Sequence, residues 1–446
     1  MIKRNSLLFA SGAVSALALL TAAKLASPAA TDTYQELGTL MNVFETVRAN
    51  YVDKVDDKTL LNGAVNGMLA SLDPHSGYLD KQDYEQIKNL TDGEYGGLGL
   101  SVTMEDGAVK VIAPTDGTPA ARAGVKAGDY ITHINGELLY GVTLSEAVDK
   151  MRGAAGTPIK ITVVRQGAVK PIDFKIVREV IKINPVKSEI KGSVGVIRIS
   201  SFSKNAGVDT VAALHDIEKK LGNKLTGFIL DLRSNPGGVL DEGVDVSAAF
   251  LTHGEVVSQR GRDPHDIKRF NAPDRAQDDA LAKPLIVLID EGSASAAEIV
   301  AGALQDHRRA LVIGERSFGK GSVQSVIPLT PDTGLRLTVA RYYTPSNRSV
   351  QTAGIEPDIV VPQLSDADRA DRQRVHESDL RRHLINEIKL DNSAIEEDGK
   401  PDPRFAGVTA ATLKTAKVDD YQMDYAVRTI ARLTGAALVP TTVAAR

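Results

Sequence analysis

The segment EGSASAAEIVAG, residues 291–302, sets two hydroxyls, Ser293 and Ser295, where the apolar run PLIVLID gives way to helix-forming residues. A hydroxyl in the first residues of a helix lies at the positive end of its dipole, which favours a developing oxyanion. The backbone N–H of Ala296 would lie close to that anion. Serine is also a preferred helix cap, so one of the two hydroxyls is expected to do only that. A serine nucleophile needs a base. Of the eight histidines, His307 follows Ser295 by a helix length of about 18 Å at 1.5 Å per residue, and nothing in the sequence brings His75 near. Lys320, in GERSFGKGSVQSV, is the remaining candidate. It sits between two glycines beside Phe318, where a cleft wall can desolvate it. Burial favours the neutral amine, which can take a hydroxyl proton. If KGSVQSV is a strand, Gln324 shares a face with Lys320 and can orient the amine. A second strand end, GFILDLRSNPGGVL, puts Gly237 and Gly238 at a turn. Their N–H groups can point into the same cleft, as an oxyanion hole requires.

Other chemistries fit less well. GERSFGK matches a phosphate loop, but Gly321 stands where that loop needs Ser or Thr, and a strand pattern follows instead of a helix. SFGK matches the S-x-x-K of penicillin-binding enzymes, yet the flanking glycines oppose the helical turn it needs, and no S-D-N or K-T-G accompanies it. The chain has no cysteine, which removes thiol catalysis and Cys-based zinc sites. A net charge of −4 over 446 residues offers no basic field, so nucleic acid is not an expected partner.

The surrounding elements must hold these groups. Lys3 and Arg4 precede an uncharged, weakly apolar run and the small-residue stretch SPAAT, with Ser27 and Ala29 at the positions before a cleavage point. This is the pattern of an export signal, residues 1–30, with an uncleaved inner-membrane anchor as the alternative. It implies work outside the cytoplasm, in the periplasm or cell envelope. Residues 31–85 carry apolar positions three and four apart, as in two amphipathic helices that cap a core or dimerise. Residues 86–178 alternate apolar and polar residues between glycines, a strand-rich unit with two short helices. Residues 179–362 interleave apolar strand runs with helices, an α/β layered core with a largely parallel centre. Residues 363–446 are rich in charge and read as a solvated, partly helical extension.

Together SLDPHSGYL, YGGLGLSV, GVKAGDYITHINGE, LDLRSNPGGVL, DEGSASAAEI, VIGERSFGKGSVQ and AGIEPDIVV resemble the carboxy-terminal processing, or tail-specific, serine proteases, in the family's order from Val43 to Pro362. The resemblance implies an α/β protease core of crotonase-like layering, with an inserted PDZ domain and helical N- and C-terminal segments. It implies a serine/lysine pair with an assisting glutamine, and no metal or cofactor. The family serine is the middle one of an S-A-S-A-S run, 25 residues before the lysine. That spacing selects Ser295 over Ser293, with Lys320 and Gln324 as partners and Ala297 replacing the third serine. The oxyanion donors correspond to N–H groups of Gly237 or Gly238 and of Ala296. Gly97, Leu98, Gly99 and Leu100 correspond to the PDZ loop that holds a free C-terminus, the two leucines lining the pocket for its last side chain. Implied partners are proteins with apolar C-terminal tails, an adaptor protein and further copies of the chain. Two other readings share some of these features. One is a PDZ scaffold with an inactive core. The other is an acyl-CoA enzyme of the crotonase type, disfavoured by the PDZ-like insert and the export signal.

Overall fold

The structure, a computed structural model, describes residues 28–105, 107–115, 117–139, 141–182, 184–263, 265–366, 375–387, 403–405 and 407–436. Nearly all of the export-signal segment lies outside the described residues. Among the described residues no helix is long and apolar enough to cross a membrane. The chain divides into two units, Met1–Ser71 and Leu72–Arg446.

The first unit contains helices α1 (Pro28–Asn50) and α2 (Asp57–Ala70). Asp56 caps α2 by accepting the Thr59 N–H at 3.0 Å. The three-and-four spacing that predicts these helices is obeyed, but Leu37, Leu40, Met41, Val65 and Met68 remain exposed.

The second unit begins with β1 (Gly77–Leu79), α3 (Lys81–Asp92) and β2 (Glu94–Gly97). Then come β3 (Leu100–Glu105), β4 (Ala108–Pro114), α4 (Pro119–Ala123), β5 (Tyr130–Ile134), β6 (Glu137–Leu138), α5 (Leu144–Met151), β7 (Pro158–Val164) and β8 (Ile172–Val177). These strands form an antiparallel sheet in the order β3-β4-β5-β7-β8, with β6 on β5. Its core holds Leu98, Val109, Val111, Ala120, Ile131, Ile161 and Met151. Strand β9 (Glu179–Lys182) returns antiparallel to β2, so entry to and exit from this sheet lie side by side. That pairing lets the unit be inserted without disturbing the core that follows.

The core contains β10 (Val186–Lys191), β11 (Val194–Ile199), α6 (Ala206–Leu221), β12 (Gly227–Asp231), α7 (Leu240–Phe250), β13 (Gly254–Arg260), β14 (Ile267–Ala272), β15 (Leu285–Ile289), α8 (Ala296–Asp306), β16 (Leu311–Gly314), β17 (Ser322–Thr330), β18 (Thr333–Tyr343) and β19 (Ile359–Val360). Its central sheet runs β10-β11-β12-β15-β16-β19 and is parallel except for β10. A second, antiparallel sheet runs β1-β18-β13-β14, with β17 on β18.

A parallel sheet must be covered on both faces, which explains the unbroken apolar runs of β12 and β15. Ile197, Ile199, Phe228, Leu230 and Val287 point to one face, where α6, α7 and α8 pack. Val194, Val196, Ile229, Ile286 and Leu288 point to the other. That second face is closed by α9 (Ala410–Thr415) and α10 (Tyr421–Thr434) through Leu413, Met423, Ala426 and Ile430. This part of the tail is therefore a layer of the core, not the solvated extension its charge suggests. The buried guanidinium of Arg233 ties it down, bonding both Asp231 and Asp420 at 2.8 Å. Burial pushes the Asp420 carboxyl up, but Arg233 outweighs it and holds the group at about 2.

Candidate active site

Ser295 is the cap residue between β15 and α8 and has φ +55°, ψ −116°. A non-glycine residue gains nothing locally from that backbone shape, and such strain collects at functional turns. The loop is held from both sides. Ser293 is fully buried. Its hydroxyl donates to the Leu232 carbonyl at 2.8 Å and accepts the Asp290 N–H at 3.0 Å. Ser293 is thus bound into the turn, whereas Ser295 is only half-buried. Asp290 accepts from Ser234 N–H at 2.7 Å, and Ala294 N–H donates to the Asn235 carbonyl at 2.9 Å. These bonds lace the turn after β12 to the turn after β15.

That lacing brings the glycine turn against the serine. A methyl added at Gly237 would lie 2.7 Å from Ser295 Cβ and 3.0 Å from Ala296 N. Gly237 N–H is already taken by the Asn235 side chain at 2.9 Å. Gly238 pairs with Phe202 through the amides on either side of it, Phe202 N–H to Gly237 O and Val239 N–H to Phe202 O. Gly238 N–H and Ala296 N–H have no acceptor among the described residues. Of the two glycines named from the sequence, Gly238 is therefore the one with a free donor.

Lys320 lies in the turn between β16 and β17. Burial pushes its ammonium pKa down, and the Arg336 guanidinium adds to this; Glu377, Glu298 and Asp73 pull the other way without reversing the shift. Its carbonyl accepts from the Tyr342 phenol, which lies beside the Ser295 side chain. Burial raises the Tyr342 pKa well above its ordinary value, so this phenol keeps its proton.

The structure departs from the expected arrangement at Gln324. Strand β17 starts at Ser322, after Lys320, so the two-residue alternation of the strand does not fix Lys320 and Gln324 on one face. The Gln324 amide instead donates to Ser322 Oγ at 2.9 Å and Thr338 Oγ1 at 3.3 Å. The histidines also have other partners. His307, at the far end of α8, bonds the Glu255 carbonyl, and His75 bonds the Glu377 carboxylate at 2.9 Å.

Sequence reasoning missed Glu298. This fully buried carboxylate accepts the Ser295 N–H at 2.7 Å and the Lys320 N–H at 3.0 Å on one oxygen, Oε2. The two amide nitrogens thus lie within about 6 Å of each other. The signal was present as S-x-x-E, the capping-box spacing from Ser295 to Glu298.

In the antiparallel sheet of the inserted unit, β3 is an edge strand. The loop before it, Gly97 to Leu100, turns its Leu98 and Gly99 carbonyls inward to the amides of Ala120 and Thr115. Gly99 has φ +73°, and a methyl there would meet the Thr118 side chain at 2.3 Å. Leu98 is buried in the core of the unit, with Leu100 packed against it. The open strand edge and the turned loop suit an incoming extended chain that ends in a carboxylate.

Residues 193–361 match the family model for peptidase family S41, residues 110–165 that for the PDZ domain, and residues 13–83 that for the activating protease CtpB N-terminal domain. A carboxy-terminal-processing protease of Bartonella bacilliformis is 48% identical over 394 residues, 88% of this chain and 90% of that protein. The carboxy-terminal processing protease CtpB of Bacillus subtilis is 38% identical over 325 residues, 72% of this chain and 66% of that protein. Among solved structures, a photosystem II D1 C-terminal processing protease is 29% identical with a TM-score of 0.44, covering 72% of this chain and 92% of that one. The chain belongs to peptidase family S41, the carboxy-terminal processing proteases.

Proposed function

We propose that the chain is a serine endopeptidase working in the cell envelope, which captures the C-terminal tail of a protein substrate on its PDZ domain and cleaves the chain with Ser295 and Lys320. The observation that carries this reading is the meeting of the backbone N–H groups of a strained Ser295 and of Lys320, both half-buried, on one carboxylate oxygen of Glu298. Neutral Lys320 takes the proton from Ser295 Oγ as that oxygen bonds to the scissile carbonyl carbon. The carbonyl oxygen becomes an oxyanion on the N–H groups of Gly238 and Ala296. The ammonium then returns the proton to the leaving amine, and water repeats the sequence to release the acyl group. Gln324 orients the amine only in a substrate-engaged arrangement, after leaving Ser322 and Thr338. No metal or cofactor enters these steps. The export pattern at residues 1–30 supports the envelope location. The exposed apolar stripes of α1 and α2 support self-association, and the PDZ surface is the proposed docking place of an adaptor protein.

A fluorophosphonate probe should attach to Ser295, and an unstructured polypeptide ending in an apolar residue should be cut. A scaffold without activity would bind that polypeptide and leave it intact, with no labelled serine. Gly99→Ala should weaken tail binding by about tenfold or more, because its φ and the Thr118 contact both resist a side chain. Fluorescence anisotropy of a labelled tail reads this, and probe labelling of Ser295 should persist. Unchanged binding would remove the loop from the recognition site.

A further inference from the structure

Glu298 does more than a helix cap requires. A capping-box glutamate needs one bond, to the cap residue's N–H, and Glu298 makes that bond to Ser295 at 2.7 Å. Three further donors come from another segment: Ser317 Oγ–H at 2.6 Å, Gly319 N–H at 2.7 Å and Lys320 N–H at 3.0 Å. The Ser317 hydroxyl accepts the Ile355 N–H at 2.6 Å, so its own proton is committed to Glu298. A carboxylate offers acceptor sites only, and four donors fill both of its oxygens. The protonated acid has no such fit, because three of its partners are backbone N–H groups that cannot accept. Burying an acid so completely is tolerated only with full pairing, and here every bond goes to the nucleophile's turn or the base's loop.

We propose that Glu298 is a positioning residue that holds the Ser295 turn and the Lys320 loop in register and supplies the buried negative charge that stabilises the lysine ammonium formed when Lys320 takes the serine proton. The inference rests on the Ser295/Lys320 reading above and names the group that sets their geometry. Its role parallels that of the carboxylate in a Ser-His-Asp triad, which orients the base and stabilises its charged form without taking the proton. Burial pushes the Glu298 carboxyl up to about 7, against the four hydrogen bonds that lower it. Its charge acts on Lys320, which also feels Arg336, Glu377 and Asp73, and on the Tyr342 phenol.

The test compares Glu298→Gln, Glu298→Asp and Ser317→Ala in the full chain, reading kcat, KM and the pH midpoint of kcat on a fluorogenic peptide. Glu298→Gln turns an amide toward backbone donors. It should lower kcat by about a hundredfold or more with KM within about threefold, while tail binding is unchanged. With the negative charge gone, the lysine pKa falls and the remaining pH midpoint should move down. Glu298→Asp keeps the charge and should recover part of kcat. Ser317→Ala removes one donor, so the carboxyl pKa rises, the acid limb moves to higher pH, and kcat at neutral pH should fall by about three- to tenfold. If Glu298→Gln does not fold, Ser317→Ala decides alone. The proposal is overturned if the folded variants keep the wild-type kcat and pH midpoint, or if lost activity only tracks lost folded protein. Retained activity in Lys320→Ala would instead overturn the Ser/Lys reading beneath it.

Discussion

Ser295→Ala and Lys320→Ala should each lower kcat by on the order of 10⁴-fold or more, while the labelled tail binds the PDZ domain as before. In the proposed mechanism the serine variant loses the atom that forms the acyl bond. The lysine variant keeps that atom, but no base remains to take its proton. The two losses should not add, since nucleophile and base act as one unit. Ser293→Ala separates the two serines. Its hydroxyl carries the Leu232 and Asp290 contacts, so its removal should cost stability, by about 1–3 kcal/mol, and leave most of kcat. Activity that survives Ser295→Ala and vanishes in Ser293→Ala would reverse the assignment.

A lysine base also predicts a direction with pH. Only the neutral amine can act as base, so kcat should rise with pH through the Lys320 pKa, which burial and Arg336 hold below the ordinary lysine value. Arg336→Met removes a positive neighbour, so the lysine pKa rises and the midpoint should move to higher pH. Glu377→Gln removes a negative one and should move it lower. A rate profile indifferent to both substitutions would show that the titrating group is not Lys320.

Why some of this could be read from the chain and some could not follows from the range over which each feature acts. Ser295, Lys320 and the glycine turn belong to short motifs whose residue types and spacing survive in one dimension. The layered core was legible because β12 and β15 are buried on both faces and so carry unbroken apolar runs. The role of Glu298 was not, because three of its four bonds run to residues about twenty positions away, and a capping box by itself explains only the fourth. The link from Gln324 to Lys320 assumed one strand running through both, and β17 begins only at Ser322, beyond the lysine. The C-terminal layer was hidden by dilution. Leu413, Met423, Ala426 and Ile430 are buried, yet charged residues separate them, and only the uncovered face of the sheet shows what they cover.

Gly238→Ala should lower kcat by about 10²- to 10³-fold, the usual loss of one oxyanion donor. At φ +148° the backbone is in a region open to glycine and resisted by alanine. The added methyl would lie 2.3 Å from the Phe202 carbonyl oxygen and 2.7 Å from its carbon, both fixed in the backbone after β11. Relief can come only if the turn moves away from Phe202, which breaks the pairing on either side of residue 238 and turns its N–H out of the cleft. Gly237→Ala strains the same turn from the other side, against Ser295 Cβ and the Ala294 carbonyl. Its effect should differ in kind. Gly237 donates to Asn235 and not into the cleft, so the damage there is displacement of the serine. Fluorophosphonate labelling should distinguish them. Gly238→Ala should slow the labelling and the peptide cleavage together, because both develop charge on the same oxygen site, and KM should stay within about threefold. A Gly238→Ala variant that cleaves peptide within threefold of the wild-type rate would place the oxyanion elsewhere, with Ala296 N–H and a donor outside this turn.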